Sequence, residues 1–192
     1  MPRKYELRTR AETQAETRRR IVDATFRLHA SIGPARTTVT KIAETAGVER
    51  LTVYKHFPEM SELFKACAAH GLGFYPLPQP ELWRRAAGPE ARLGAGLAET
   101  YGYYRRNEQM MRVILRDRDA GQPSGARFVG FMEEAATVLA EGWPETPAVR
   151  AAIGHAVDFQ AWRSLAFKQG LDDELAVRLM LGLVKTSAAP PS

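Results

Sequence analysis

Cysteine is almost absent from this sequence of 192 residues, which contains Cys67 alone. A single thiol forms no disulfide within the chain, as is typical of proteins in a reducing compartment. The sequence also lacks an apolar run near the roughly 18 residues that a membrane-spanning helix needs, and its N-terminus lacks the apolar core of a signal peptide. We therefore expect a cytoplasmic protein with no membrane segment.

Strand signals are scarce as well. The sequence shows no sustained alternation of apolar and polar residues and no Asn-Gly or Asp-Gly hairpin turn. Apolar residues make up 45% of the chain, which is enough for a substantial core, and they recur at helical spacing throughout. These patterns predict an all-α fold.

Glycine and proline separate the predicted helices. Residues 1–14 are polar and are predicted to be disordered, and the proline-rich "YPLPQP" at residues 75–80 is followed by a change in composition. The loops "AGQPSG" and "GWPETP" and the tail "SAAPPS" are further breaks. The predicted helices cover about residues 17–31, 39–46, 50–57, 60–73, 89–106, 108–119, 124–142, 147–170 and 172–187.

The positive charge is confined to the first third of the chain. Residues 1–69 contain 13 Lys and Arg against 8 Asp and Glu, whereas residues 70–192 contain 14 of each, so the net charge of +5 lies entirely in the first segment. A basic N-terminal module on a neutral body points to an anionic partner for that module, although a solvated charged surface would have the same composition.

Within the basic segment, "IAETAGVERLTVYKHF" has the pattern of two short helices joined by a tight turn. Gly47 lies where the chain must reverse, a place that favours a left-handed backbone. Ala43, one helical turn earlier, is small enough to let the two helices approach each other. The apolar face consists of Ile42, Ala46, Val48, Val53 and Phe57. This combination is typical of a helix-turn-helix.

The outer face of this hairpin carries groups that bind DNA. Arg50 and Lys55 suit guanine edges or phosphates, hydroxyl groups suit phosphates, and Leu51 suits a thymine methyl. Glu49 either caps the second helix or accepts from cytosine, and Thr38 is the predicted N-cap of the first helix, whose free N–H groups suit a phosphate. The predicted DNA-binding residues are Thr38, Thr40, Lys41, Glu49, Arg50, Leu51, Thr52, Tyr54, Lys55 and His56.

The segment from about Arg19 to Phe64 resembles the DNA-binding head of the TetR-type regulators. The motifs that carry the resemblance are Thr37–Thr38, Ile42–Ala43, Ala46–Gly47–Val48, Thr52–Val53–Tyr54, Lys55–His56 and Phe57–Pro58. Two positions depart from the family pattern: Met60 stands where a phosphate-binding lysine is common, and Leu51 stands where a small residue is common. The first departure removes a phosphate anchor, and the second suggests a base preference of this protein's own.

The resemblance implies a domain organisation. Residues 1–16 would be a flexible basic arm, residues 17–59 the three-helix DNA-binding domain, and residues 60–187 a larger helical domain for effector binding and dimerisation. Residues 60–73 would form the helix that connects the two domains.

The resemblance also implies a ligand cavity and a dimer. The partners would be double-stranded DNA with an inverted-repeat operator, a second copy of the chain, and an apolar or aromatic small-molecule effector. For any single side chain below, packing within the chain is the alternative. The predicted pocket residues are Tyr101, Tyr104, Met111, Phe128, Phe131, Met132, His155, Phe159 and Trp162, and the predicted dimer interface comprises Ala152, Ala156, Leu175, Leu179 and Leu183.

No pattern in the sequence indicates catalysis, a cofactor or a metal. Cys67 and His70 share a helix face as half a metal site would, but no second pair accompanies them, so a packed cysteine is the simpler interpretation. The scattered glycines form no phosphate loop. We therefore predict a ligand-released repressor that is not an enzyme. The alternative is an all-α enzyme or carrier whose basic head binds an anionic cofactor or RNA.

Overall fold

The computed structural model describes residues 2–121 and 125–190, with side chains for 11–71, 73–121 and 125–190. This described part is helical and contains no β-strand, which confirms the predicted all-α fold. Its α-helices are α1 (Pro2–Ser31), α2 (Val39–Ala46), α3 (Arg50–His56), α4 (Met60–Phe74), α5 (Pro80–Trp83), α6 (Pro89–Asp119), α7 (Ala126–Ala140), α8 (Pro147–Val157), α9 (Phe159–Arg163) and α10 (Asp173–Ala188). A 3₁₀ turn (Pro34–Arg36) precedes α2, and a π-helix (Ser164–Lys168) follows α9.

The short helices near the N-terminus begin and end close to where the sequence predicts. Helix α2 has the predicted bounds, and the Thr38 side chain caps it by accepting from the backbone N–H of Lys41 at 3.3 Å. Gly47 ends it with φ 64° and ψ 44°, the left-handed conformation expected of a glycine at this place. The cap and the glycine are local signals, so the bounds of this helix can be predicted from the nearby sequence.

Several helices differ from the predicted ones. Helix α1 starts at Pro2 and not near residue 17. The structure describes no side chains for residues 2–10, which make up much of the predicted basic arm. The two helices predicted on either side of Asn107 form the single helix α6, in which Asn107 alone leaves the helical conformation (φ −121°, ψ 15°). The short helix α5 was not predicted. The first residue of the helix predicted at 124–142 lies outside the described part, and the helix α7 that follows is Ala126–Ala140.

The helix predicted over residues 147–170 is wrong as a continuous element. Helix α8 ends at Val157 because Asp158 takes an extended backbone (ψ 130°), and its carboxylate then caps α9 by accepting from the N–H of Ala161 at 2.7 Å. The last turns are a π-helix. Aspartate is a good N-cap, so Asp158 was a local indication that a new helix begins there. The apolar periodicity continues across Asp158 and therefore favoured a single helix.

The chain divides into two compact units. The first comprises Met1–Pro76 and Gln109–Ser124, and the second comprises Leu77–Glu108 and Gly125–Ser192. The predicted boundary near residue 60 therefore differs from this division, because α4 packs on α1 within the first unit. The functional assignment of residues 1–16, 17–59 and 60–187 remains a prediction.

The first unit has its core where α1, α2, α3 and the start of α4 meet. The predicted inner face of the hairpin is buried there, except that Val48 is half-buried. The buried residues are Ile21, Val22, Ala24, Ile42, Ala43, Ala46, Val53, Phe57 and Leu63. This core holds α2 and α3 in a fixed mutual orientation.

The second unit is built around aromatic side chains, and α8 packs against both α7 and α10. Tyr101, Tyr104, Phe159 and Trp162 are fully buried. Among the described helices, none is long and apolar enough to cross a membrane.

Candidate nucleic-acid interface

The turn between α2 and α3 is held by α1. The Arg20 guanidinium donates to the backbone carbonyl of Ala46 and, at 3.2 Å, to that of Gly47. These carbonyls belong to the end of α2, where helical hydrogen bonding has run out. The left-handed φ of Gly47 favours glycine, and a Cβ there would lie 2.7 Å from this guanidinium, so Arg20 would have to shift.

Helix α3 is tied to α1 in a similar way. The Arg18 guanidinium stacks 3.9 Å above the ring centre of Phe57 and donates to the carbonyl of His56 at 3.5 Å. Sequence reasoning did not assign Arg18 or Arg20 this role. Both belong to the basic first third of the chain, and their guanidinium groups bind the C-terminal ends of α3 and α2.

The outer face of α3 is largely exposed, and its two cationic side chains have no partners among the described residues. The exposed fraction of Leu51 is 75% and that of Tyr54 is 41%, while Arg50 and Lys55 are also exposed. Within the described residues, the side chains of Arg50 and Lys55 form no hydrogen bond or ion pair. Thr52 and His56 are half-buried, so the Thr52 hydroxyl and the His56 ring are less open to a ligand than their neighbours.

The N-terminal end of α2 is also open to solvent. Thr38, Thr40 and Lys41 are exposed. The Lys41 ammonium donates to the carbonyl of Arg36 at 3.3 Å, an exposed contact that a phosphate can replace. The predicted DNA-binding residues thus lie on two helices whose mutual orientation the core fixes.

Two sequence-based details are settled by the geometry. Glu49 occupies the N-cap position of α3 but its side chain makes no capping hydrogen bond, so the capping role is wrong and its exposed carboxylate is open to other contacts. Met60, which replaces a lysine common in the family, packs against the core of the first unit. The Met60 side chain thus contributes to the packing of the first unit.

The predicted pocket residues do not all come together. Six of the nine are aromatic residues of the second unit with their rings close, as in Tyr104, whose ring centre lies 5.4 Å from that of Phe159 and 5.7 Å from that of Phe128. Met111 belongs to the first unit, and His155 is exposed on α8. Met132 is half-buried, and the others are buried.

The tyrosines of this cluster are anchored to backbone. Tyr101 donates its hydroxyl to the carbonyl of Ala156 at 2.8 Å, and Tyr104 donates to that of Val157 at 2.6 Å. Burial raises the pKa of both phenols above the ordinary value. Both hydroxyls therefore stay protonated and donate to carbonyls at the C-terminal end of α8.

The predicted interface residues fall into two groups. Ala152 and Ala156 are buried within the chain, where α8 packs on α10, so their own chain covers them. Leu175, Leu179 and Leu183 are 40–50% exposed at intervals of four residues on α10. They form an apolar stripe, which we call the α10 stripe.

Cys67 is a packed thiol with a different neighbour from the one expected. Its Sγ lies 3.5 Å from Nδ1 of His29, whereas His70 lies 3.5 Å from a carboxylate oxygen of Asp23. Burial raises the pKa of the Cys67 thiol to about 12 and lowers the pKa of His29 to about 4. In the described part of the chain, no group of three His, Cys, Asp or Glu side chains is placed to hold a metal ion.

Comparison with known proteins matches this geometry. Residues 21–67 match the family TetR_N, bacterial regulatory proteins of the tetR family. The chain is 48% identical over 59 residues to the HTH-type transcriptional regulator TtgR of Pseudomonas putida. This alignment covers 31% of the chain and 28% of the relative, so it reaches little beyond the helix-turn-helix.

Similarity of fold extends much further along the chain. A crystal structure of an HlyIIR mutant with residues 170–185 replaced by alanine superposes with a TM-score of 0.58 at 16% identity, covering 88% of this chain and 95% of that one. A TetR transcription regulator from Haloarcula marismortui ATCC 43049 superposes with a TM-score of 0.54 at 17% identity, covering 91% and 97%.

The predicted resemblance is confirmed by the matched head and by a fold shared over most of the chain. The relatives that match the helix-turn-helix segment are described as transcriptional regulators. Residues 21–67, which contain the helix-turn-helix, are thus similar to the DNA-binding segment of the TetR-type regulators.

Proposed function

We propose that the protein is a homodimeric, sequence-specific DNA-binding regulator, and that it is a repressor released by a small molecule. The observation that carries the DNA-binding part is the outer face of α3. Its cationic side chains are exposed and have no partner within the described chain, while the inner face of the same helix is fixed by the core and by Arg18. A preorganised cationic helix of this size fits the major groove of DNA.

The two helices of the hairpin have different tasks. Arg50 and Leu51, at the start of α3, read base edges, and Glu49 accepts from cytosine. Tyr54 and Lys55 hold phosphates, as do Thr38, Thr40 and Lys41 at the start of α2. Phosphate contacts set affinity and register, whereas base contacts set sequence preference.

Selection from a random pool of duplex DNA tests this proposal. The wild type should enrich an inverted repeat whose half-sites lie about 34–36 Å apart, one turn of the double helix. Arg50→Ala should weaken binding to the selected duplex by roughly 1–3 kcal/mol and relax preference at one position per half-site. Equal losses on selected and scrambled duplexes would remove the base-reading role of Arg50.

Salt dependence tests the phosphate contacts. The logarithm of the binding constant should fall with the logarithm of salt concentration by about 0.9 per phosphate neutralised. Lys55→Ala should reduce this slope by about one contact per head, whereas Lys65→Ala, which removes an equal charge from an exposed site on α4, should leave it unchanged. A slope near zero in the wild type, or equal binding to single-stranded RNA, would favour the alternative in which the head binds another anion.

The proposed dimer forms through the α10 stripe. Three leucines that remain 40–50% exposed in the chain supply the apolar surface. Gly154 on α8 and Gly182 on α10 have no atoms near the position of a Cβ, which leaves room for a second chain to approach closely. A two-fold interface there would match the symmetry of an inverted-repeat operator.

A pair of matched variants tests the dimer. Leu179→Glu should give a folded monomer, because the site is half-exposed in one chain but would bury an unpaired carboxylate in the dimer. Leu82→Glu changes a leucine of similar exposure on α5 and should remain dimeric. A wild-type mass near 21 kDa by sedimentation, the mass of one chain, would show that the dimer is absent.

The proposed effector is an apolar or aromatic compound bound among the buried rings of the second unit. The support is the density of aromatic side chains there, of which Tyr104 alone contacts five others. A panel of aromatic compounds should contain members that raise the melting temperature and release the selected duplex. Phe128→Ala and Phe131→Ala should each change the effector concentration that releases the duplex. An unchanged concentration in both variants would mean that the ligand binds elsewhere.

A further inference from the structure

The turn that enters the helix-turn-helix is held by two side chains from the end of α6. The backbone N–H of Ala35 donates to Oδ2 of Asp117 at 2.8 Å, and the Arg116 guanidinium donates to the carbonyl of Ile32 at 3.1 Å. The partners in each bond are more than 80 positions apart in sequence. The turn thus receives one acceptor and one donor from neighbouring residues of a distant helix, an arrangement that we call the α6 clasp (Arg116 and Asp117).

Gly33 makes this approach possible. Its φ of 90° and ψ of 159° lie in a region that only glycine adopts without strain. A Cβ there would collide with Oδ2 of Asp117 and lie 2.8 Å from the Arg116 guanidinium. The clasp and the glycine therefore depend on each other.

The carboxylate of the clasp is buried. The Asp117 side chain is only 3% exposed, and its other oxygen accepts from Nε and Nη2 of Arg116 at 2.8 and 2.6 Å. A buried carboxylate costs several kcal/mol unless such partners compensate it. Both oxygens of Asp117 thus accept hydrogen bonds, and its loss would leave the Ala35 N–H without its acceptor and the Arg116 guanidinium without its carboxylate.

The clasped turn leads directly to the groups proposed to hold phosphates. The Thr37 hydroxyl donates to the carbonyl of Gly33 at 2.8 Å, and the Lys41 ammonium donates to the carbonyl of Arg36. Thr38 then caps α2. The conformation of the turn therefore sets where the N-terminal end of α2 lies relative to the rest of the hairpin.

We infer that Asp117, held by Arg116, is a positioning residue for DNA binding that acts through the Ile32–Thr37 turn without touching DNA. This inference rests on the proposed function. The clasp holds the start of α2 in place in the free protein. The N–H groups of α2 and Lys41 can therefore bind a phosphate without the entropy cost of ordering the turn. Removing the clasp weakens DNA binding by freeing the turn.

A charge argument makes the test decisive. Asp117→Asn removes a negative charge, so electrostatics alone would strengthen binding to a polyanion. The clasp predicts the opposite: binding to the duplex selected by the wild type should weaken about tenfold or more, which is about 1.4 kcal/mol. The matched control is Asp119→Asn, an exposed aspartate two residues along the same helix, which should bind at least as tightly as the wild type.

Two further readouts separate positioning from general stability. The salt slope of Asp117→Asn should fall by about one phosphate contact per head, and exchange of the Ala35 amide hydrogen should accelerate while amides in the middle of α1 stay protected. An Asp117→Asn protein that is folded and binds as tightly as Asp119→Asn overturns the inference. If the wild type selects no sequence at all, the proposed function fails, whereas the Ala35 exchange still reports on the clasp.

A second pair covers the case in which Asp117→Asn does not fold. Arg116→Ala removes the partner of Asp117 and the donor to Ile32, and Arg118→Ala removes an equal charge from an exposed site on the same helix. The first variant should bind the selected duplex about tenfold more weakly than the second. Equal binding by the two, or failure of both clasp variants to fold, would make the clasp a stability element only and overturn the inference.

Discussion

The two compact units complete the ends of their helices with different chemistry. In the first unit, guanidinium groups of α1 donate to carbonyls at the ends of α2 and α3, as Arg20 does at Ala46 and Gly47. In the second unit, buried phenols do this work: Tyr101 and Tyr104 donate to the last carbonyls of α8. Both meet the same need, since the last carbonyls of a helix have no partner within it.

This difference has a consequence for function. The charged ties of the first unit lie near solvent, where salt weakens them, and they surround the surface proposed to bind DNA. The two tyrosine hydrogen bonds of the second unit are neutral and buried, so salt does not weaken them. We expect the first unit to respond to ionic conditions and the second unit to respond to whatever enters its apolar interior.

The largest expected effect lies in the second unit. Asp173 accepts from the Trp162 indole at 3.0 Å and from the Arg105 guanidinium at 2.7 and 2.8 Å. Asp173→Ala should lower the free energy of unfolding by about 3 kcal/mol, because the indole N–H and the cation both lose their partner. Urea denaturation measures this, with Asp172→Ala as a control that removes only an exposed cap. A loss no larger than that of the control would show that Asp173 is not a tie of the second unit.

Acid should affect the two units in separate pH ranges. Burial lowers the pKa of His29 in the first unit to about 4 from 6.5, against an opposing attraction from Asp117. The unfolded chain then binds more protons between these values, so stability is full above about pH 6.5 and falls as the pH drops toward 4. The loss should approach about 2 kcal/mol for this partly buried ring.

In the second unit the corresponding range is lower. Hydrogen bonding from Arg105 holds the pKa of Asp173 below its ordinary value of 3.8. Its contribution is therefore present above about pH 3.8 and is lost as the pH falls through the depressed pKa. Thermal melts from pH 7 to 4 should show a slope that His29→Phe removes and Asp173→Asn leaves in place. An unchanged slope in His29→Phe would assign the acid sensitivity to other groups.

The range of these hydrogen bonds along the sequence explains which parts of the structure could be predicted from the sequence. Helix α2 and the turn after it could be predicted with their bounds, because Thr38 and Gly47 act on backbone groups only a few residues away. The exposed face of α3 followed from the same periodicity. Arg20, Asp117 and Asp173 reach partners that are distant in sequence, and nothing in the local sequence indicates which group such a side chain will reach.

The next prediction compares the two kinds of tie directly. Tyr104→Phe should cost about 2 kcal/mol, because the carbonyl of Val157 is left buried without a donor. Arg20→Met should cost about 1 kcal/mol, since its carbonyls lie near enough to solvent to recover hydrogen bonds with water.

Salt distinguishes the two losses further. The cost of Arg20→Met should shrink in about 1 M salt, where the wild-type tie is already weakened, while the cost of Tyr104→Phe should stay constant. Urea denaturation at two salt concentrations measures both. A salt-independent cost for Arg20→Met would mean that its charge adds nothing to the hydrogen bonds, and the contrast between the units would then be one of burial alone.

The smallest expected effects come from the helix caps, which offer the same chemistry in both units. Asp158 accepts from the N–H of Ala161 at 2.7 Å in a partly buried place, whereas Thr38 accepts from the N–H of Lys41 at 3.3 Å in an exposed one. Replacing either by alanine should cost about 1 kcal/mol, with Asp158→Ala the more costly because its bond is charged, shorter and better shielded from water. Thr38→Ala should also weaken DNA binding, because it frees the start of α2 that the α6 clasp otherwise holds in position. Amide exchange at Lys41 and Ala161 reports each cap separately. A larger cost for Thr38→Ala than for Asp158→Ala would contradict this order. It would mean that the exposed N-terminal end of α2 is held more by its cap than by the α6 clasp.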